Sequence, residues 1–381
     1  MAKKHFNTQC VHEGQLEDTQ YESGVSPLYM ATNYAFEGVE KKRYPRYFNT
    51  PNLEAVAQKV AALELAESGL VFSSGMAAIS TALMSFLSQG DHVVLQNDLY
   101  GGTRNFVKTE FPKYGIAFTF TEGLSTGDFE KAIQPNTKGI YIETPSNPLL
   151  KLVDLKAIAS LAQANGLWTM IDNTFASPVN QNPTAFGIDI VLHSATKYLG
   201  GHSDISGGIV VSSKANIERV FDSAKNLGGN MSEFAAWMLE RSIKTLALRV
   251  TAQNANAQQI AEWLEAHQDI DAVYYPGLKN HPDHHLATQQ MKGFGGMLSF
   301  TLKKEKSVEC FLENLQLIKP VMSLAGVEST ALSPRLTSHA LLTEEERLSQ
   351  GISPQLIRFS TGIEAVSDLI SDLEHAIYTA S

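Results

Sequence analysis

The stretch "DIVLHSATKYLGGHSD", residues 189–204, begins as one kind of structure and ends as another. Ile190, Val191 and Leu192 make the continuous apolar run of an interior parallel strand, covered on both faces. His193, Ser194, Thr196 and Lys197 follow at once, with Gly200 and Gly201 behind them. An unpaired ammonium at the end of a buried strand is costly. Lys197 therefore either reaches water or meets something that uses its amine.

The same layout recurs upstream. "LVFSS" (70–74) precedes a helix "MAAISTALMSFL" (76–87), and "HVVLQ" (92–96) precedes "YGGTRNFVKTEF" (100–111). "GIYIET" (139–144) precedes the helix "DLKAIASLAQANG" (154–166), then "LWTMIDN" (167–173), then the opening stretch. Short apolar strands alternating with helices predict an α/β fold, a parallel sheet covered on both faces. "GGIVV" (207–211) extends that pattern. Residues 1 to about 50 have no sustained period and read as an extended arm. "NLEAVAQKVAALELAESG" (52–69) has helical spacing up to Gly69. Near residue 240 the character changes to a long amphipathic helix starting at Glu240, strands "GGMLSFTL" (295–302) and "LIRFS" (356–360), and helices near 307–318 and 366–378. The expected division is an arm (1–50), an α/β domain (51–240) and a smaller α+β domain (241–381).

Composition narrows the classes. Of 381 residues 43% are hydrophobic, enough for a large core. Thirty basic against forty acidic side chains give a net charge of −10, which disfavours nucleic-acid binding. Cys10 and Cys310 form no C-x-x-C, so neither a disulfide framework nor a cysteine-rich zinc site is expected, and a reducing compartment fits. The N-terminal "MAKKHFNTQCVHEG" lacks the apolar stretch of a secretory signal, and no run nears the roughly 20 residues of a membrane span. The expectation is a soluble, cytoplasmic protein that binds neither nucleic acid nor membrane.

In an open parallel sheet, ligands sit at the carboxyl ends of the strands. Ser73, Ser74 and Gly75 open a helix whose free N–H groups, at Gly75 and Met76, would hold an anion; an ordinary serine cap reads the same way. Tyr100, followed by Gly101 and Gly102, would stack on a flat ligand or simply pack. Glu143, Ser146 and Asn147 lie in the proline-bounded turn "ETPSNP", where Asn147 would bond a ligand or its own backbone. Asp172 closes an apolar strand and needs a cationic partner, either a protonated ring nitrogen or an arginine. Ser194 and Thr196 offer hydroxyls to an anion beside Lys197, whose amine, if partly desolvated, is nucleophilic. A phosphate cradle, a stacking ring, an acid for a pyridinium and an amine for an aldehyde are together the requirements of pyridoxal 5'-phosphate (PLP). The competing class is a non-catalytic or nicotinamide-binding α/β protein, in which Lys197 and Asp172 are structural.

The motifs "SSGMAA", "LYGGT", "ETPSNP", "IDNTFASP", "HSATKYLGGHSD", "SLAGVES" and "LIRFSTGIE" resemble those of the PLP-dependent transsulfuration enzymes, along nearly the whole chain. That family comprises the cystathionine synthases and lyases, methionine γ-lyase and homoserine sulfhydrylases. The resemblance implies a fold type I PLP-dependent enzyme with a mostly parallel central sheet and a smaller α+β C-terminal domain. It implies that Lys197 holds the cofactor as a Schiff base, that Asp172 keeps its ring nitrogen protonated and that Tyr100 stacks on the ring. Gly75, Met76, Ser194 and Thr196 would bind the phosphate, with Tyr44 and Arg46 from a neighbouring subunit. Arg358 would clamp a substrate carboxylate, assisted by Asn147 and Ser323. Tyr100 or Tyr44 would give a proton to departing sulfur. A homo-oligomer, usually a tetramer, follows.

Arg43 and Met322 stand where family enzymes acting on cystathionine commonly carry acids, which argues against a standard cystathionine γ-synthase or γ-lyase site, and Gly102 stands where methionine γ-lyases usually carry cysteine. Phe48, in "YFNTPN", would reshape the substrate mouth. The favoured reading is a carbon–sulfur lyase acting on cystathionine, methionine or homocysteine-type substrates. A γ-replacement enzyme, either a cystathionine γ-synthase or an O-acylhomoserine sulfhydrylase, is the alternative, since Arg43 would suit an anionic ester. The histidines of "HPDHH" (281–285) read as an exposed loop before a helix rather than a metal site, and no metal is expected.

Overall fold

A computed structural model describes residues 4–337, 340 and 343–380. Seven strands form the large sheet: β1 (Ser68–Phe72), β2 (His92–Leu95), β3 (Ala117–Phe120), β4 (Thr137–Glu143), β5 (Trp168–Asp172), β6 (Ile190–Ser194) and β7 (Gly208–Ser212). Their order is β1-β7-β6-β5-β4-β2-β3. β3, β2, β4, β5 and β6 run parallel, as alternating strands and helices require. The "GGIVV" strand departs from that reading. β7 lies antiparallel between β6 and β1, so the sheet is mixed at this side.

Successive strand residues face opposite layers. Ile142, Ile171 and Val191 pack toward the helix Pro51–Leu63, with its Leu53, Val56 and Val60. Tyr141, Met170, Ile190 and Leu192 pack toward the helix Gly75–Phe86, with its Ala78, Ile79 and Leu83. Both layers are dry, which is why these strands carry no polar alternation. The Glu143↔Asp172 and Asp172↔Leu192 pairings align the carboxyl ends of β4, β5 and β6.

The helices are α1 (Phe6–His12), α2 (Pro51–Leu63), α3 (Gly75–Phe86) and α4 (Gly101–Glu110) in the first third of the chain. α1 was not expected in the arm. Its last carbonyls, Cys10 and Val11, accept from the buried Lys59 Nζ at 3.1 and 3.4 Å, which docks it on α2. α2 stops at Leu63 rather than Gly69, because Leu65 is left-handed (φ 59°). Gly69 instead lies inside β1, where a Cβ would sit 3.1 Å from the Val210 carbonyl oxygen of β7. The helix expected from Glu240 is two, Glu233–Ile243 and Leu246–Glu265, with Lys244 and Thr245 at the break.

The second sheet joins β8 (Ile270–Tyr274), β9 (Met297–Leu302), β10 (Thr330–Leu332) and β11 (Leu356–Ser360) in the order β10-β11-β9-β8, all antiparallel. Its own core packs against the helices Val308–Glu313 and Val366–Thr379. Among the described residues, no helix is long and apolar enough to cross a membrane. In the "HPDHH" loop, His281 is buried, not exposed, and Asp283 Oδ2 accepts the Leu152 N–H at 2.9 Å.

Candidate active site

A cavity of about 680 Å³ opens at the carboxyl edge of the large sheet. Gly75, Met76, Tyr100, Asn147, Asp172, Ser194, Thr196, Lys197, Ser323 and Arg358 all line it. Ten of the residues singled out in the sequence thus meet in one place, drawn from both sheets.

Lys197 sits in a tight turn after β6. Its N–H donates to Ser194 O at 3.1 Å, and Gly201 N–H returns to Lys197 O at 2.7 Å. The buried Arg249 pins the exit of this turn, donating to Tyr198 O at 2.8 Å and to Ser242 O at 3.0 Å. Gly201 is left-handed (φ 70°) and a Cβ there would overlap the Arg249 guanidinium. On this fixed base, Lys197 Nζ donates to Ser323 Oγ at 2.8 Å. Burial, and secondly the Arg358 guanidinium, lower its pKa to about 8, against the pull of Asp172.

Asp172 is 6% exposed, and its Oδ1 accepts from the Thr174 N–H at 3.0 Å and from the Thr174 hydroxyl. Burial raises its pKa, and Thr174, His193 and Lys197 oppose the rise. A carboxylate in this position favours any cation placed in the cavity.

Ser74 caps α3, accepting from Ala77 N–H at 3.1 Å, and the first backbone bond of the helix runs from Ala78 N–H to Ser74 O. The serine cap is therefore real, and it leaves the Gly75 and Met76 N–H groups free ahead of the first intrahelical donor, Ala78. Gly75 has no room for a side chain: a Cβ would sit 2.8 Å from Ser194 Cβ. That contact brings the α3 N-terminus and the Ser194 hydroxyl to one spot. Thr196 Oγ1 accepts Gly207 N–H at 3.0 Å.

Tyr100 precedes α4 and is half exposed; its ring lies over Gly102, where a Cβ would be 2.5 Å from Tyr100 Cε1. Arg358, on β11, is 5% exposed. Its Nη1 donates to Asn147 Oδ1 at 3.2 Å and its Nη2 to Ser323 O at 3.0 Å. Burial lowers its pKa only to about 10, so it is a cation at neutral pH.

Tyr44 and Arg46 do not line this cavity. Arg46 donates to Lys225 O at 2.5 Å and stacks on Tyr44 and Tyr47 at 5.9 and 5.3 Å. Arg43 is already engaged, by Glu54 Oε2 at 2.7 Å and by Asn49 O. Phe48 does not line its own chain's cavity: it is 4% exposed, packed on Phe72 at 5.1 Å, and lines a separate cavity beside α2. Met322 does line the site. So do Glu143 and Phe175, to which the sequence reading gave no role. For Glu143 a signal existed, since it closes an apolar strand as Asp172 does.

These groups suit PLP. Helix N–H groups and a hydroxyl would hold its phosphate, a depressed-pKa amine would meet its aldehyde, a buried carboxylate would meet its ring nitrogen, and a tyrosine face would meet its ring. Arg358 with Asn147 suits a carboxylate.

The family described as Cys/Met metabolism PLP-dependent enzyme matches residues 7–378. The chain is 44% identical over 380 residues to a cystathionine gamma-lyase of Bacillus subtilis (strain 168), covering 99% of each. It is 42% identical over 375 residues to a cystathionine beta-lyase of Lactococcus lactis subsp. cremoris (strain MG1363), covering 98% of each. The crystal structure of cystathionine gamma-lyase from Lactobacillus plantarum complexed with L-serine superposes with a TM-score of 0.95, at 41% identity and 99% coverage of both chains.

Proposed function

We propose, for a chain that belongs to the PLP-dependent enzymes of Cys/Met metabolism, the role of a carbon–sulfur lyase on thioether L-amino acids. The observation that carries this reading is Lys197 Nζ, fixed by Ser323 Oγ at 2.8 Å in the cavity that also holds Asp172 and Arg358. Bound PLP supplies the electron sink that makes an amino acid's α-proton acidic. Arg358, held by Asn147 and Ser323, binds the substrate carboxylate and so fixes which face of the α-carbon meets Lys197. An amine whose pKa lies at about 8 exchanges a proton readily near neutral pH, so Lys197 takes the α-proton. Asp172, buried at the end of β5, would hold positive charge on the cofactor's ring nitrogen. Tyr100, which lines the cavity, would shield the cofactor's ring from water and give a proton to the leaving thiol. The carbon–sulfur bond breaks, and the remaining fragment hydrolyses to a 2-oxo acid and ammonia.

Elimination is favoured over γ-replacement because the cation invoked for an anionic ester, Arg43, is occupied by Glu54 and Asn49. The test is product analysis without added thiol, using cystathionine, methionine, homocysteine and an O-acylhomoserine. Release of 2-oxobutanoate or pyruvate with ammonia from a thioether supports the reading, each keto acid marking γ- or β-elimination. Turnover confined to O-acylhomoserine plus thiol overturns it.

Tyr44 and Arg46 act in the site of a second copy, within a cytoplasmic homotetramer built from active dimers. Their absence from their own cavity supports this, as does the arm's exposed apolar surface at Tyr21, Met30 and Phe36. Mixing inactive Lys197→Ala and Arg46→Ala proteins after dissociation should restore activity at hybrid sites. Mixtures no more active than their parents contradict it.

A further inference from the structure

Two loops carry Tyr100 and Asn147, the first leaving β2 and the second leaving β4. Each lends a buried carboxylate to the other. From the end of β4, Glu143 Oε2 accepts the Tyr100 N–H at 2.8 Å. From the β2 loop, Asp98 Oδ2 accepts the Ser146 hydroxyl at 2.8 Å. Gln96 lies between them, accepting Glu143 N–H on Oε1 at 3.0 Å and donating from Nε2 to Asp98 O at 2.9 Å. Lys151 Nζ, 3.7 Å from Asp98 Oδ2, closes the outer end.

Both carboxylates are 4% exposed, a costly arrangement for two strand-end loops. Glu143 also stands directly across from Asp172 in the β4–β5 pairing. Burial, and secondly Asp172, push its carboxyl well above the usual range, and backbone N–H groups of Tyr100 and Asn147 oppose that. The same acid thus touches the residue whose ring covers the cavity and the residue that hydrogen-bonds Arg358. An apolar side chain would close the strand at lower cost, but it would leave both loops untied.

We propose that Glu143 and Asp98 form a reciprocal brace that positions Tyr100 over the cofactor and Asn147 beside Arg358. They are positioning residues: they act through the loops, and they deepen the functional reading above, on which their catalytic consequence rests. Because each acid crosses to the opposite loop, cutting either cross-tie releases both.

The test uses Glu143→Ala and Asp98→Ala, with Glu143→Gln and Asp98→Asn as conservative controls that keep an acceptor for the Tyr100 N–H and for Ser146. In cofactor-free protein, hydrogen–deuterium exchange over 97–103 and 144–150 should quicken at least about tenfold in Glu143→Ala and Asp98→Ala, and stay near wild type in Glu143→Gln and Asp98→Asn, since an amide N–H exchanges faster once its acceptor is lost or its loop is untied. In cofactor-loaded protein, the visible circular dichroism of the bound ring should weaken, and KM should rise more than kcat falls. The double variant should resemble the worse single one, as expected for residues acting as a unit. A folded Glu143→Ala or Asp98→Ala with wild-type exchange in both loops and unchanged visible dichroism overturns the brace. If one variant fails to fold, the other decides. If wild-type protein takes up no PLP, the functional reading fails while the exchange measurement still judges the brace.

Discussion

Replacing Asp172 with Asn should move two properties in opposite directions. Without cofactor, the carboxylate is buried with Thr174 as its donor and Glu143 across from it. Burial raises its pKa in the folded state, so the folded chain holds this proton more tightly than the unfolded one. Its contribution to stability therefore falls as pH rises through the carboxylate range, and the penalty remains at pH 7. Asn keeps a carbonyl oxygen for Thr174 and removes the charge, so cofactor-free Asp172→Asn should melt no lower than wild type at pH 7, and should lack that pH slope. With cofactor the sign reverses, because the ring cation loses its counter-charge. Hydrogen bonds to charged groups contribute about 1.5–3 kcal/mol. Breaking a buried pair costs about 3–5 kcal/mol. The ranges meet near about 3 kcal/mol, or about 150-fold in Kd. The assay is PLP titration of stripped protein by visible absorbance, beside thermal melts at one protein concentration with and without cofactor. Unchanged affinity, or a destabilised cofactor-free variant, refutes the reasoning.

Arg358→Lys cannot serve Asn147, Ser323 and a carboxylate together, so it loses one charge-assisted bond of about 1.5–3 kcal/mol. Initial-rate kinetics should show KM raised about 10- to 100-fold, with a smaller change in kcat. In Gly102→Ala the new Cβ, 2.5 Å from Tyr100 Cε1, should turn the ring and alter the visible dichroism of bound cofactor. Its melting temperature should hold, since Ala favours the helix. Covalent capture of PLP needs the neutral amine of Lys197. Rapid mixing at pH 6–10 should show its rate climbing with pH to a midpoint near about 8. A rate still climbing steeply at pH 10, as the ordinary lysine value of 10.5 requires, contradicts the burial argument.

Most of the site was legible because each strand end announces itself. An apolar run that stops at Asp172, or at Ser194 and Lys197, has few physical reasons to do so. Arg358 was reachable only by resemblance, since nothing in "LIRFS" says that β11 carries it to the other sheet's edge. The direction of β7 was hidden because a strand buried on both faces has the same composition whichever way it runs. β3 and β10 escaped notice for a different reason. One is a four-residue strand at the sheet edge without a buried residue, and the other has three residues. The break at Lys244–Thr245 leaves no glycine or proline to mark it. Phe48 lies away from its own chain's cavity, and its aromatic character alone does not reveal which side of the chain it faces. Its left-handed backbone (φ 55°) turns it onto Phe72.

The most direct measurement is borohydride reduction of the cofactor-loaded protein, followed by digestion and peptide mass mapping. Lys59 is a built-in control, because it too is buried with a pKa lowered to about 8 but lies under α1, away from the cavity. The account predicts one reduced phosphopyridoxyl group per chain, on the peptide containing Lys197. A label on Lys59 or any other lysine, or no label on protein saturated with PLP, contradicts it.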